Sequence, residues 1–540
     1  MPRTPWLHSV LRGARATLTS LGTISPRLGT PPGSPHAVLS SAALAHTPGE
    51  RPVRSPVEHV NVLIIGAGVS GIGAACHLRM RTPGRSFAIL EAREKLGGTW
   101  DLFRYPGIRS DSDMYTFGFA FKPWVEERDI ATGEAILRYL HETVEEYGLR
   151  EAIRYRHTVE KVSWSSDDAR WVATVRRGEA DERFQMSADF LVTGTGYYDY
   201  DKGHQPDFPG LDEFEGDVVY PQHWPEHLDY KGKRVVVIGS GATAVTLVPS
   251  MAHDAAHVTM LQRSPTYMYV RPWVDDAAVL LRKLLPSKLA YRLTRLKNVA
   301  LQRGVYAYTQ LAPQRARAML REMAEEGLGP DFDIDRHFTP EYDPWDQRIC
   351  LDPDGDLFAA LRSGSASVVT ATIDRITKDG IRLSSGETLA ADIIVSATGL
   401  ELKFLKFEME VDGRAISPSD LVTYKGVMCA DVPNWIFVFG YTSASWTLKA
   451  DLVFEYLCRV LKHMDDGGFA YAVPRLRGVG GERRPFITRL KSGYIARGAD
   501  RMPAQLDRAP WLNHDEYLQD ILLFRRGKLD DGTLHFARKR

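Results

Sequence analysis

The chain has 540 residues, 44% hydrophobic and 25% charged, with 68 Lys and Arg balancing 68 Asp and Glu. That is an ordinary globular composition, long enough for two or three domains. The zero net charge predicts no nucleic-acid partner, and no run reaches the roughly 20 apolar residues of a membrane-spanning helix. The four cysteines, Cys76, Cys350, Cys429 and Cys458, are too widely spaced for a disulfide framework, a zinc site or a redox dithiol, so no metal and a reducing, cytoplasmic home are expected.

The first 49 residues hold Arg3, Arg12, Arg15 and Arg27 and no Asp or Glu, amid Ser, Thr, Pro and Gly. Such a stretch cannot build a core. Residues 1–55 therefore read as a disordered extension outside the fold, or as a mitochondrial transit segment.

Folding is expected to begin at His59–Ile65, a short β-branched apolar run of the kind found in buried parallel strands. Gly66-Ala67-Gly68-Val69-Ser70-Gly71 follows, then a helix from Ile72 to Arg81 and a second strand ending at Glu91. In this β-α-β order Gly66 permits the tight turn, Gly68 lets the backbone approach a pyrophosphate, and Gly71 lets the helix pack on the strand. Glu91, twenty residues beyond Gly71, stands where an acid accepts ribose hydroxyls. The segment Gly97 to Asp111 that comes next is rich in glycine, aromatics and charge and poor in aliphatics, as a ligand loop should be.

Trp171–Arg176 and Phe184–Val192 read as strands, the second running into Thr193-Gly194-Thr195-Gly196. A second fingerprint starts at Arg234–Ile238 with Gly239-Ser240-Gly241-Ala242-Thr243-Ala244, a helix to Met251 and a strand at His257–Leu261. This strand leads into Gln262-Arg263-Ser264, with no acid where Glu91 stands in the first fold. Arg263 and Ser264 suit a 2′-phosphate, which points to NADPH as the second nucleotide.

From Ala277 to Arg321 ten Lys or Arg occur without an Asp or Glu, amid Leu280, Leu281, Leu284, Leu285, Leu289, Tyr291, Leu293 and Leu296. A solvated basic face over a buried leucine stripe is the expectation, with weak peripheral membrane contact as the lesser reading. Ala391–Ala397 is a further buried strand ending in Thr398-Gly399. The expected class is α/β with two dinucleotide-binding, Rossmann-like domains. An FAD domain in two pieces, residues 56–230 and 380–540, encloses an NADPH domain at 231–379.

The loop Gly97-Gly98-Thr99-Trp100 through Tyr105-Pro106-Gly107 to Asp111 resembles the signature of type I Baeyer–Villiger monooxygenases. Their second signature, Phe-x-Gly-x-x-x-His-x-x-x-Trp-Pro, is matched by Phe214-Glu215-Gly216 and Trp224-Pro225, with Tyr220 in place of the histidine. Arg104–Met114, Pro221–Trp224, Gly239–Thr246, Gln262–Tyr267, Pro344–Cys350 and Tyr441–Asp451 are similar to the subgroup that oxidises ketones and thioamide sulfur. The likeness covers nearly everything from Val60 onward.

It implies FAD and NADPH as cofactors, O2 as co-substrate, and a ketone, thioether or thioamide as small-molecule substrate, oxygenated through a C4a-peroxyflavin. Thr99 and Trp100 join the glycines, Glu91 and Asp111 around FAD, while Gly239, Gly241, Thr243, Ala244, Arg263 and Ser264 hold NADPH. Arg348 matches the arginine that stabilises the anionic oxygen, and Asp111 the acid that orients it. A permanently charged guanidinium does so without donating its proton. Heteroatom oxygenation at nitrogen or sulfur is the alternative activity. A disulfide reductase would need a close cysteine pair, which the chain lacks.

Overall fold

The computed structural model describes residues 57–179 and 181–539, so the expected extension at 1–55 lies outside the described residues. The chain is α/β, with two parallel-sheet Rossmann-like folds, the second inserted in the first.

The first fold opens with β1 (Glu58–Ile65), α1 (Val69–Arg81) and β2 (Phe87–Leu90), then a short α2 (Thr99–Leu102) and β3 (Arg109–Asp113). An antiparallel meander of β4 (His157–Ser165), β5 (Arg170–Arg177) and β6 (Glu182–Thr193) returns the chain to the sheet. β1 is apolar on both faces because both faces are covered: Val62 and Ile64 pack into one core, Leu63 and Ile65 into another. Val62, Leu63 and Ile64 are fully buried, each stabilising the fold by about 1.5–3 kcal/mol. Ile65 is in register with Leu90 of β2 and Thr193 of β6, all parallel. Gly66, Glu91 and Gly194 therefore leave the sheet level with one another at its carboxyl edge, where ligands bind in such folds.

The second fold runs through β7 (Asp217–Val219), β8 (Arg234–Ile238), α3 (Ala242–Met251) and β9 (His257–Gln262). A helical stretch follows, α4 (Asp276–Leu284), α5 (Ser287–Leu311) and α6 (Pro313–Leu328), before β10 (Ala366–Thr370) and β11 (Ile393–Ser396) complete the sheet. Its order is β10-β9-β8-β11-β7, all parallel. Ile238 is opposite both Leu261 and Ser396, so Gly239, Arg263 and Ala397 gather at this carboxyl edge as their counterparts do at the first. The chain then re-enters the first sheet at β12 (Trp435–Phe437), beside β6, and buries α7 (Trp446–Gly467) against α1.

Two expectations change. The strands at 217–219 and 393–396 belong to the second sheet, so its fold spans about 217–397 and not the expected 231–379. A buried apolar run fits either parallel sheet, and only pairing with β8 decides. The leucines of α4 and α5 are not buried as expected: Leu284 is 70% exposed, Leu289 45%, Leu293 41% and Leu296 67%, while Tyr291 is buried. α5 turns its polar side inward, where Arg295 donates to Tyr115 O (2.8 Å) and Gly118 O (2.7 Å) and pairs with Asp451. Asn298 and Gln302 reach the two carboxylate oxygens of Asp113 at 2.8 and 2.9 Å.

Candidate active site

At the first glycine turn Gly66 has φ +100°, and a Cβ there would lie 2.8 Å from Gly194 O. A Cβ on Gly71 would lie 1.8 Å from Gly66 O, so neither position admits a side chain without moving backbone. α1 begins at Gly68 with no side-chain cap and no acid in its first turn, which leaves its amides and positive dipole end free for an anion. Glu91 is buried; its Oε2 accepts from Ala67 N at 2.7 Å and its Oε1 from Arg93 N at 2.9 Å. The carboxylate thus stands at the mouth of the turn with further lone pairs available. Gly98 closes on Gly68 from the opposite side, and Thr99 and Trp100 open α2 there.

The second turn repeats the construction. Gly239 has φ +136° and would place a Cβ 2.4 Å from Ala397 O, whereas a Cβ on Gly241 meets nothing within 4 Å. α3 starts uncapped at Gly241, again without an acid in its first turn, with Thr243 partly exposed and Ala244 buried. Gln262 is buried and anchored to His337 O and Thr370 Oγ1. The next two residues, Arg263 and Ser264, are exposed, and Arg263 makes no ion pair among the described residues. Tyr220 faces the adjoining crevice with Phe103, Tyr105, Gln222, Thr243 and Gly399.

The loop from Gly97 to Asp111 ties the two folds together. Tyr105 and Thr243 line the same crevice, and Gly107, at φ +75°, packs so closely on α3 that a Cβ would sit 1.9 Å from Ser250 Oγ. Asp111 follows on β3. Its side chain is exposed yet crowded by protein on its inner side, which pushes its carboxyl pKa up against the pull of Arg348 and Arg109. Arg109 itself is ion-paired with Asp356 and lies over the Trp273 ring.

Arg348 is half-buried. Tyr197 and Tyr198, just past Gly196 where the chain leaves the first sheet, approach it on one side. Two residues beyond it, Cys350 points its Sγ at Ser240 O of the second turn (3.7 Å). Burial acts to lower the Arg348 pKa, but Tyr494, Tyr197, Tyr198 and Asp111 outweigh it and hold it above the ordinary arginine range. Burial pushes the phenols of Tyr197 and Tyr198 upward, so both stay neutral at neutral pH. Asp111 and Arg348 interact through space and form no direct salt bridge, so the acid biases the guanidinium without gripping it.

The sequence reading missed several neighbours. Tyr197 and Tyr198 join hydroxyls at 2.6 Å, and Tyr197 stacks on Trp446, whose Nε1 donates to Ser70 Oγ at 2.8 Å. Trp345 holds φ +74°, a strained conformation for a bulky residue, and its Nε1 is buried without a partner. The position of the tyrosine pair, directly after a glycine exit from a sheet's carboxyl edge, was the signal available for it.

Comparison with known proteins now bears on these residues. Over 484 residues the chain is 50% identical to the FAD-containing monooxygenase EthA of Mycobacterium tuberculosis, covering 89% of this chain and 98% of that protein. The probable FAD-binding monooxygenase AlmA of Acinetobacter baylyi is 49% identical over 89% of this chain and 97% of its own. The chain belongs to the family of FAD-containing monooxygenases. Residues 63–278 also match the family described as pyridine nucleotide-disulphide oxidoreductase; all four cysteines here are buried and free. Among solved structures, an oxidised steroid monooxygenase bound to NADP shares the fold with a TM-score of 0.71 at 23% identity, covering 89% of this chain and all of the other. An open cyclohexanone monooxygenase follows at 0.63 and 22%, over 77% of this chain and 90% of its own. Like other members of this family, the chain is a monooxygenase. Among the described residues no helix is long and apolar enough to cross a membrane, and no cluster of ligating side chains could hold a metal.

Proposed function

We propose that the chain is an FAD- and NADPH-dependent monooxygenase that inserts one oxygen atom of O2 into small ketones, giving esters or lactones, and that also oxidises sulfur. The observation that carries this reading is Arg348, a charged, half-buried guanidinium near Asp111 and, through Cys350, close to the second glycine turn.

Both nucleotides fit the residues present. The uncapped start of α1 with Gly66, Gly68 and Gly71 would take the FAD pyrophosphate, and Glu91 retains lone pairs for ribose hydroxyls. Thr99 and Trp100 would bound the flavin side. The start of α3, through Gly239, Gly241, Thr243 and Ala244, would take the NADPH pyrophosphate, and Arg263 with Ser264 the 2′-phosphate. Reduced FAD, when bound, supplies the activation of O2. The protein's share is electrostatic. Arg348 offers fixed positive charge to an oxygen anion and, with its high pKa, keeps its own proton. Asp111, which forms no direct salt bridge with Arg348 among the described residues, would orient that charge from a distance. The neutral Tyr197 and Tyr198 hydroxyls can donate hydrogen bonds without adding charge, and their rings with Trp446 exclude water from one wall.

The test is a purified, FAD-loaded enzyme supplied with NADPH and O2 against aryl ketones, long aliphatic ketones and thioethers. Esters or lactones formed in proportion to NADPH support the reading. Oxidation of the thioethers alone would replace it with heteroatom oxygenation.

A further inference from the structure

α5 is built inside out. Its buried side carries Thr294, Arg295, Asn298 and Thr309 beside Ala290, Tyr291 and Val299, while all its leucines lie on exposed positions. At 100° per residue, Leu289, Leu293, Leu296, Ala300, Ala307 and Leu311 fall within an arc of roughly 60°, and every one of them is exposed. Leu280 and Leu284 continue the apolar surface on α4. Eight of the fourteen large hydrophobic side chains exposed among the described residues lie on these two consecutive helices. Single exposed leucines are normal, but a concentration of this kind marks a surface that meets an apolar partner.

The charges around it select the partner. Lys283, Lys288 and Arg292 are exposed and make no ion pair among the described residues, and Arg303 flanks the same stripe, paired to Glu516. A second copy of this face would set basic residues against basic residues about a two-fold axis. A leucine stripe edged by Lys and Arg is what a helix lying in the plane of an anionic bilayer presents: leucines enter the acyl boundary while basic side chains reach lipid phosphates. We propose that the outer face of α4 and α5 is a docking surface for an anionic membrane. The inner side of α5 holds Asp113, two residues past Asp111, so the bilayer lies about 10 Å, one helix diameter, from the catalytic strand.

Co-sedimentation of the full-length, FAD-loaded protein with vesicles tests this. The wild type is expected to pellet with phosphatidylcholine–phosphatidylglycerol vesicles, to be released by high salt, and to stay in the supernatant with phosphatidylcholine alone. The double variant Leu293→Gln/Leu296→Gln, at two solvent-facing positions, is expected to partition about tenfold more weakly or worse, with unchanged NADPH oxidation on a water-soluble ketone. Failure of the wild type to pellet with the anionic vesicles at low salt overturns the proposal. So does equal binding to neutral vesicles, or a solution dimer that the double variant dissociates without any vesicle binding. None of these readings depends on whether the oxygenated substrate is a ketone or a thioether.

Discussion

Arg348 and Arg263 are both arginines in crevices, yet their surroundings give them different tasks. Arg348 is half-buried among three tyrosines and Asp111, where a fixed charge is screened less than on the open surface. Arg348→Ala is expected to keep FAD and still consume NADPH, while oxygenated product falls by on the order of a hundred-fold to a thousand-fold and hydrogen peroxide appears in its place. Lysine should rescue poorly, because an ammonium lacks the planar fork and can surrender its proton. Ester formed at wild-type yield per NADPH in the alanine variant would exclude the assigned role. Arg263 is exposed at the end of β9, held in place by the buried Gln262 behind it. Removing its charge costs a charge-assisted hydrogen bond to a 2′-phosphate, about 1.5–3 kcal/mol, or roughly a tenfold to hundredfold rise in the NADPH Michaelis constant. NADH, which lacks that phosphate, should be little affected by Arg263→Ala; equal losses for both would reassign the residue.

At the level of elements, β3 and the strand after Arg348 are joined by acids. Arg109 pairs with Asp356, and Asp352, fully buried, accepts from Leu357 N at 3.0 Å at the start of the helix Asp356–Ser363. Burial, together with the neighbouring Asp356 carboxylate, pushes the Asp352 carboxyl up to about 8. Its folded pKa therefore exceeds its unfolded one, and folding takes up a proton. The associated stability is complete below about pH 4 and is lost as pH rises towards about 8. Asp352→Asn keeps an acceptor for Leu357 N without a titration. The wild-type Tm is expected to fall across that window more steeply than the variant's, and parallel Tm profiles would show that Asp352 is not protonated in the fold. Which of these features could be read from sequence follows from where the information sits. Both glycine turns were legible because local backbone geometry dictates the residue type there. The sheet of Ile393–Ser396 was not, since strand pairing is a long-range choice among similar apolar runs. The inward face of α5 was hidden for a related reason: periodicity marks two faces, and only Asp113 and Asp451, far away in sequence, decide that the polar one is buried. Asp111 and Arg348 entered through resemblance, as nothing local distinguishes either from a surface charge.

Across the whole molecule the two folds must hold Asp111, which rides on the first, at a set distance from Arg348, which returns from the second. The Tyr105-Pro106-Gly107 turn is the contact that fixes this. Tyr105 faces Thr243 across the crevice, and Gly107 sits against α3 with no room for a methyl group: its Cβ would lie 1.9 Å from Ser250 Oγ, 3.0 Å from Ser250 Cβ and 3.2 Å from Thr246 O. The Ser250 hydroxyl, bonded to Thr246 O at 2.8 Å, can rotate away. Its Cβ and the helix backbone cannot, and the +75° φ adds its own penalty. Gly107→Ala should therefore lift the turn at a cost of about 1–3 kcal/mol and shift Asp111, four residues on. FAD should stay bound, because Gly66, Gly68, Gly71 and Glu91 are untouched by the turn. The expected signature is NADPH consumption that continues while a larger share ends as peroxide, with Tm lowered. Pairing the change with Ser250→Ala separates the two costs: it relieves the hydroxyl clash and should recover part of the Tm, while the backbone strain and the displaced Asp111 remain. Wild-type coupling in the single variant, with Tm lowered all the same, would mean that the turn stabilises the fold without setting the geometry of the site.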